Sequence, residues 1–219
     1  MTAARDGVTG GPATAPAGAI VFIVDDEEPV RDALGWLLRT RGLASRQFDS
    51  ADAFLAFLDG PSGLDGQPAC VLLDVRMNGT SGLELFDALR ARDAHVVMPI
   101  LFMTGHGDVP MAVDALKRGA FDFFEKPFSD NALVDRVIAA LESSRQRLEE
   151  STADADIRAR TEALTERERE VMRAILAGKL NKVIADELGI SMRTVEVHRA
   201  RIFAKMGVRS AVELANLMR

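Results

Sequence analysis

Short apolar runs alternate with segments of helical spacing in the first part of the chain. The runs occupy 20–24, 69–73, 99–103 and 121–124, and the last is the weakest. Runs of this length are typical of strands that are buried on both faces of a parallel sheet. With a short strand at 45–48 and a helix at 51–58, the pattern gives five strands alternating with five helices. It predicts an α/β doubly wound domain with a parallel five-stranded sheet over residues 19–141.

The chain after residue 163 shows helical spacing throughout. Thr165 and Glu168 have the spacing of a capping box, and Ser191 is placed to cap a later helix after a turn at Gly189. The predicted helices are 165–176, 181–188, 194–206 and 211–218. A helix, a glycine turn and a second helix are typical of a helix-turn-helix unit, so a small all-α domain is predicted over residues 164–219.

Two segments show neither the alternation of apolar runs and helices nor continuous helical spacing. Residues 1–18 are rich in Ala, Gly, Pro and Thr, so we expect a disordered tail. Residues 142–163 are mostly charged or small, so we expect an exposed helical extension followed by a linker.

Composition narrows the possible classes of protein. A single cysteine, Cys70, excludes a disulfide framework and a thiolate zinc site, and its apolar surroundings favour a core position. No apolar run approaches the roughly 18–20 residues of a membrane-spanning helix, and the start lacks a signal core. We therefore expect a cytoplasmic protein with no membrane partner.

Charge is divided unevenly along the chain. Residues 161–219 hold 11 of the 27 Lys and Arg residues but only 8 of the 33 Asp and Glu residues. This part is net positive, although the whole chain has a formal net charge of -6. A locally basic helical segment favours a polyanion as its partner.

Polar residues lie at or just beyond four of the predicted strand ends. They are Asp25, Asp26, Asp74, Thr104 and Lys126. Ligands of doubly wound sheets bind at this carboxyl edge, and converging carboxylates repel one another unless a cation joins them. Mg²⁺ (or Mn²⁺) is the hard cation that carboxylates suit. An Asp beside such an ion can attack a phosphoryl group, with Lys126 and Thr104 contacting the phosphoryl oxygens.

Each of these residues has a simpler interpretation when taken alone. Asp25 and Asp26 fit helix N-caps, Asp74 fits a turn, and Lys126 fits a solvated charge. The joint role is favoured because four separate strand ends each supply a suitable group in chain order.

Four stretches within residues 20–140 carry a resemblance to a known family. They are IVDDEEPVR at 23–31, DVRM at 74–77, TGHGDVP at 104–110 and EKPF at 125–128. The segment resembles a two-component receiver domain, and the whole chain resembles FixJ-type response regulators of the NarL/FixJ family. The resemblance implies that Asp74 accepts a phosphoryl group from the phosphohistidine of a sensor histidine kinase. It also implies that Asp25, Asp26, Asp74 and the Arg76 carbonyl hold Mg²⁺, and that Phe123 is an aromatic switch residue. Spacing alone favours a core position for Phe123.

The chain departs from the family pattern beside Asp74. The family usually has Pro after the methionine that corresponds to Met77, whereas this chain has Asn78 and Gly79. Replacing Pro by Asn-Gly is expected to free this loop and to alter the lifetime of the phosphoryl group.

The C-terminal segment resembles the LuxR-type helix-turn-helix of the same family. The matching stretches are LTERE at 164–168, AGKLNK at 177–182, IA at 184–185, TVEVHR at 194–199 and KMGV at 205–208. Helical spacing puts Val195, His198, Ile202 and Met206 on one face of the recognition helix, which should be buried. We expect a partly buried His198 with its hydrogen bonds satisfied.

The opposite face of that helix and its flanks are expected to contact DNA. The candidate residues are Lys179, Asn181, Lys182, Arg193, Thr194, Glu196, Val197, Arg199, Ala200, Arg201, Lys205 and Arg209. Glu196 and Val197 suit base contacts, whereas the flanking Lys, Asn and Arg side chains suit phosphate contacts. Any single charge among them also fits an ordinary solvated face.

The favoured function is a transcription regulator switched by phosphorylation of Asp74. Its expected partners are promoter double-stranded DNA and RNA polymerase, and the resemblance implies a sensor histidine kinase and a second copy that pairs through residues 109–126 on phosphorylation. The protein is not expected to be a turnover enzyme, because its own side chain takes the phosphoryl group. A haloacid-dehalogenase-like phosphatase would need an Asp-x-Asp motif at Asp74, and a ligand-sensing LuxR-type regulator would need an apolar pocket instead of the acidic cluster.

Overall fold

The computed structural model of the chain describes residues 15–60, 66–105 and 109–218. They form two compact units, with the boundary between Glu149 and Glu150. Residues 1–14 of the predicted tail and residues 106–108 of the matching stretch at 104–110 lie outside the described residues.

The first unit is built on a parallel sheet with the strand order β2-β1-β3-β4-β5. The strands are β1 (Ile20–Val24), β2 (Ala44–Phe48), β3 (Ala69–Asp74), β4 (Ile100–Thr104) and β5 (Asp122–Glu125). The chain adds β2 on one side of β1 and the remaining strands on the other. This order is that of a doubly wound sheet, which confirms the predicted fold class.

Helices connect the strands and cover both faces of the sheet. They are α1 (Glu28–Thr40), α2 (Ala51–Leu58), α3 (Gly82–Ala91), α4 (Ala94–Val97), α5 (Val109–Lys117) and α6 (Asp130–Glu162). Helix α4 was not predicted, because a four-residue helix is too short to show a hydrophobic period. It follows Asp93, whose φ of 53° redirects the chain after α3.

Alternate residues of the central strands supply the two sides of the core. Phe22 packs with residues of α2 and α3, whereas Ile23 and Leu72 pack with residues of α1 and α6. Cys70 is fully buried in the second of these clusters, and burial raises the pKa of its thiol. The expected core position of Cys70 is therefore confirmed.

Helix α6 ends at Glu162, and its residues from Glu150 onwards belong to the second unit. The linker expected in the later part of 142–163 is helical instead. Arg145 pairs with Glu142 and Glu149 at helical spacing, which supports the exposed part of the helix. Ile157 packs against the core of the second unit, so the end of α6 belongs to that unit.

The second unit contains four more helices, in agreement with the predicted all-α domain. They are α7 (Glu166–Leu176), α8 (Asn181–Leu188), α9 (Met192–Met206) and α10 (Ala211–Leu217). The capping box of Thr165 and Glu168 forms as predicted, and Ser191 caps α9 by accepting from the backbone N–H of Thr194. No helix within the described ranges is both long and apolar enough to cross a membrane.

The predicted inner face of α9 is buried. Val195, Ile202 and Met206 are inaccessible to solvent, and His198 is half-buried. The Nδ1 atom of His198 is buried, and no group in the described part of the chain hydrogen-bonds to it. The expectation that His198 has its hydrogen bonds satisfied is therefore wrong for this atom.

Candidate functional site

The predicted polar residues meet at the carboxyl edge of the sheet. The register aligns Asp74 with Met103 and Thr104 with Glu125, so β3, β4 and β5 end at the same level. We call the group formed by Asp25, Asp26 and Asp74 the acidic edge.

Lys126 joins two carboxylates of the acidic edge. Its Nζ lies 2.8 Å from Asp25 Oδ2 and 2.8 Å from Asp74 Oδ1. Asp25 is fully buried and Asp74 is 6% exposed. Lys126 is thus held in place by two buried anions, so the interpretation of Lys126 as an ordinary solvated charge does not apply.

Burial and the ion pairs act on the two sides of this contact in different ways. Burial raises the pKa of Asp74, although its hydrogen bond and charge attraction to Lys126 oppose the rise. Burial would lower the pKa of Lys126, but hydrogen bonds and charge attraction to Asp25 and Asp74 raise it above its ordinary value. The ammonium therefore stays charged at neutral pH.

Short local hydrogen bonds orient the remaining carboxylate oxygens. The backbone N–H of Glu27 donates to Asp25 Oδ1 over 2.9 Å, and that of Arg76 donates to Asp74 Oδ2 over 2.7 Å. Helix α1 has Glu27 as its N-cap residue, without a side-chain capping bond. Asp25 and Asp26 are therefore not the helix caps that a simpler interpretation suggested.

Asp26 accepts hydrogen bonds from Asn78, a residue that no sequence pattern connects with it. The Asn78 side-chain amide donates to Asp26 Oδ2 over 2.6 Å, and the Asn78 backbone N–H donates to the same oxygen over 3.0 Å. Gly79, with φ of 76°, follows directly. Asn78, which stands where the family usually has Pro, thus joins the loop to Asp26, and the expected effect of this loop on the phosphoryl lifetime stays a prediction.

Gly82 is a second residue whose importance was missed. A Cβ atom at this position would lie 2.0 Å from the backbone oxygen of Asp74. The Gly82 N–H donates to the Val75 carbonyl over 3.0 Å, so the start of α3 lies directly against the end of β3. Only glycine allows this approach without movement of the backbone.

The donor chemistry of the acidic edge fits a hard divalent cation. Three carboxylates and one ammonium leave an excess of two negative charges, and oxygen ligands are those that Mg²⁺ prefers. Within residues 15–60, 66–105 and 109–218, no three acidic, His or Cys side chains are already arranged around a common metal position. Lys126 pairs with Asp25 and Asp74, whereas Asn78 donates hydrogen bonds to Asp26.

The two other predicted receiver residues lie on β4 and β5. Thr104 is buried at the end of β4, and its carbonyl accepts a 2.7 Å hydrogen bond from the Lys126 backbone N–H. Phe123 is half-buried, with its ring centroid 6.3 Å from that of Phe102. It packs against the core from β5, as spacing alone suggested.

The outer face of α9 is open, as predicted for a nucleic-acid interface. We call its exposed residues the recognition face, and they are Arg193, Glu196, Val197, Ala200 and Arg201. Thr194 is half-buried, and its hydroxyl lies 2.8 Å from that of Ser191. Arg199 is also half-buried, with its guanidinium carbon 5.3 Å from the Phe203 ring centroid.

The flanking candidates divide into free and paired cations. Lys182 is exposed in α8 and forms no ion pair in the described part of the chain. Lys179, by contrast, donates to both carboxylate oxygens of Glu187, each over 2.7 Å. Asn181 is half-buried at the start of α8, and Arg209 is exposed beyond α9.

The Lys205 ammonium bonds to other groups of the second unit. Its Nζ lies 2.7 Å from Glu168 Oε2 and 3.0 Å from the Ala163 carbonyl, just beyond the end of α6. In return, Arg160 of α6 donates to the Met206 carbonyl at the end of α9 over 2.9 Å. Each helix therefore supplies a cation to the C-terminal end of the other, where the helix dipole is negative. This geometry gives Lys205 a structural role, so it does not favour the phosphate contact that the sequence suggested.

Comparison with known proteins agrees with this architecture. Residues 21–138 match the family model of the response regulator receiver domain, and residues 162–218 match that of the luxR family of bacterial regulatory proteins. The C4-dicarboxylate transport transcriptional regulatory protein DctR of Rhodobacter capsulatus is 50% identical over 197 residues, which cover 90% of this chain and 98% of that protein. The transcriptional regulatory protein FixJ of Rhizobium meliloti (strain 1021) is 46% identical over 201 residues, which cover 90% and 93%.

Two solved structures extend over both units. The response regulator StyR is 40% identical with a TM-score of 0.82, and the match covers 92% of this chain and 98% of that one. Full-length FixJ from B. japonicum is 42% identical with a TM-score of 0.55, and the match covers 92% and 96%. The chain therefore belongs to the FixJ-type response regulators of the NarL/FixJ family, transcription regulators that join a receiver domain to a luxR-type DNA-binding domain.

Proposed function

We propose that Asp74 is the phosphoacceptor of this response regulator and that the acidic edge is its reaction site. The observation that carries the proposal is the Lys126 ammonium, which lies 2.8 Å from carboxylate oxygens of both Asp25 and Asp74. A cation in this position is suited to a phosphoryl group attached to Asp74, because it can pair with the phosphoryl oxygens. Membership of the family implies a sensor kinase as the donor.

The reaction is a phosphoryl transfer between two side chains. A carboxylate oxygen of Asp74 attacks the phosphorus of the kinase phosphohistidine, the P–O bond forms and the P–N bond breaks. Lys126 and the Thr104 hydroxyl then contact the phosphoryl oxygens. Asp25, Asp26, Asp74 and the Arg76 carbonyl would hold Mg²⁺ or Mn²⁺, which supplies neutralising charge when bound. The chain consumes one donor per Asp74 and is therefore no turnover enzyme.

We assign the regulation of transcription to the second unit. We assign residues 19–141 to the phosphoacceptor domain, 164–219 to the DNA-binding domain and 142–163 to the segment between them. Binding of promoter double-stranded DNA is assigned to the recognition face, with Thr194, Arg199, Lys182, Asn181 and Arg209 at its borders. Phosphorylation, with Phe123 as the switch residue, promotes pairing of two copies through residues 109–126 and recruitment of RNA polymerase.

The test is chemical modification of the full chain. The protein is treated with acetyl phosphate and Mg²⁺, the modified residue is mapped by mass spectrometry, and the oligomer size is compared before and after. We expect one phosphoryl group on Asp74 and a larger species. Asp74→Asn should abolish the mass gain, whereas Asp32→Asn, at an exposed position of α1, should not change it. An undiminished mass gain in Asp74→Asn would overturn the assignment.

A further inference from the structure

Asn78 and Asp26 join two loops that are distant in sequence. Asn78 follows β3 and Asp26 follows β1, 52 residues earlier in the chain. Two N–H groups of one residue, the side-chain amide and the backbone, converge on a single oxygen, Asp26 Oδ2. The backbone bond of 3.0 Å has an ordinary N–H···O length, and the side-chain bond of 2.6 Å is a short one.

Asp26 differs from the other two carboxylates in the way its charge is balanced. Asp25 and Asp74 share the Lys126 ammonium. Within the ranges that the structure describes, Asp26 contacts no cation, and its hydrogen-bond partners are the neutral donors of Asn78. Asn78 therefore stabilises the Asp26 carboxylate by hydrogen bonds, whereas the Lys126 ammonium stabilises Asp25 and Asp74 by ion pairs.

We propose that Asn78 is a latch that stabilises the metal-free acidic edge and competes with a divalent cation for Asp26. The inference rests on the proposed function, because it takes Asp26 as a ligand of that cation. While both N–H groups of Asn78 occupy Oδ2, this oxygen is not free for a metal. Ligation of the ion through Oδ2 would break at least one of the two bonds, and that cost would weaken metal binding.

The sign of the change in metal affinity distinguishes a latch, which competes with the metal for Asp26, from a residue that orients Asp26 towards the metal. A residue that held Asp26 in its metal-binding orientation would strengthen the affinity, and its loss would weaken binding. A latch has the opposite effect, so its removal strengthens binding. The geometry favours the latch, because the two bonds occupy a carboxylate oxygen that the proposed ion would use.

Two substitutions remove the donors in steps. Asn78→Ala deletes the side-chain amide and keeps the backbone N–H, whereas Asn78→Pro deletes both. Asn131→Ala is the matched control, since Asn131 lies on α6 and accepts a hydrogen bond from Arg41 through its side-chain oxygen. Dissociation constants of the full chain for Mg²⁺ are measured by calorimetry, and those for Mn²⁺ by electron paramagnetic resonance of the free ion. Neither readout depends on phosphorylation.

We expect Asn78→Ala to lower the dissociation constant about two- to fivefold, since one hydrogen bond contributes a net amount of this order. Asn78→Pro should lower it further, and Asn131→Ala should leave it unchanged. Saturable wild-type binding with equal or weaker affinity in both Asn78 variants would overturn the latch and leave the proposed function intact. No saturable binding by the wild-type chain would overturn the metal site itself, and the latch with it.

Discussion

The acidic edge and the recognition face hold their side chains in different ways. The acidic edge brings together Asp25, Asp74 and Lys126, which lie up to 101 residues apart in sequence, and it fixes them by burial and ion pairs. The recognition face comes from one helix, and its side chains are exposed to solvent. One site therefore depends on the packing of a whole domain, whereas the other depends on the orientation of a single helix.

Because of this difference, the type of a residue predicts its role better at the acidic edge than around the recognition face. At the acidic edge, a buried charge needs a partner, so each candidate there is fixed by the others. Around the recognition face, a Lys is free to point outward or to pair with a neighbouring carboxylate at little cost. Lys182 and Lys179 illustrate the two cases, because both are basic residues near the turn before α8 and only Lys179 is paired.

The largest effect is expected from a substitution that separates α3 from the acidic edge. In Gly82→Ala the new Cβ would lie 2.0 Å from the Asp74 backbone oxygen, so the backbone must move. We expect a loss of about 3 kcal/mol of stability in the first unit, as for severe overpacking. Hydrogen exchange of the β3 and α3 amides measures it. Gly105→Ala, where a Cβ meets nothing within 4 Å, is the control and should cost little. Equal costs at the two positions would contradict the steric argument.

A smaller effect is expected from the ion pair between Glu168, which is buried, and Lys205, whose side chain is 37% exposed. Glu168→Gln removes the charge that pairs with Lys205, and we expect a loss of about 1.5 kcal/mol at neutral pH. The hydrogen bond from Lys205 is the main cause that lowers the pKa of Glu168 from 4.5 to about 2. Because the folded-state pKa is depressed, this stabilisation is present above pH 4.5 and is lost as the pH falls towards 2.

The measurement for this pair is hydrogen exchange of the α7 and α9 amides as a function of pH. The wild-type chain should lose stability through that window, and Glu168→Gln should lose less. Glu166→Gln, in the same first turn of α7 but exposed, serves as the control. A variant that follows the wild-type pH curve would show that the Lys205 contact contributes nothing.

The smallest effect is expected from single cations near the recognition face. Lys182→Ala should weaken binding to any duplex DNA to a similar extent and reduce the salt slope by about 0.9, because one phosphate contact is lost. Lys179→Ala should do less, since Glu187 already engages that ammonium. Val197→Ala should instead change the preference among duplexes of different sequence.

Fluorescence titrations of duplex DNA over a range of salt concentrations distinguish these cases. Equal salt slopes for the wild type and Lys182→Ala would exclude Lys182 as a phosphate contact. A larger loss in Lys179→Ala than in Lys182→Ala would show that pairing in the free protein does not predict which cation contacts DNA.

Much of the fold was predictable because the signals are local. Apolar runs gave the sheet, and the capping residues Thr165 and Ser191 marked helix starts that the structure contains. The short helix α4 was not predicted, and the last part of α6, up to Glu162, is helical where a linker was expected after a helical extension. Neither α4 nor this last part of α6 has a hydrophobic period, and the later part of α6 is supported instead by ion pairs along its exposed surface and by the packing of Ile157.

The sequence by itself determined which residues are chemically able to form the acidic edge, because strand ends in a parallel sheet meet at one side and Asp25, Asp74 and Lys126 follow such ends. It also determined which face of α9 is buried, because the helical period sets that face. Only the tertiary structure decided which oxygen each donor reaches. It brought Asn78 to Asp26, required glycine at position 82, and placed the Lys205 ammonium against Glu168. Such contacts join residues far apart in the chain, so no local pattern records them, and they form only when the packed elements bring the groups within hydrogen-bond distance.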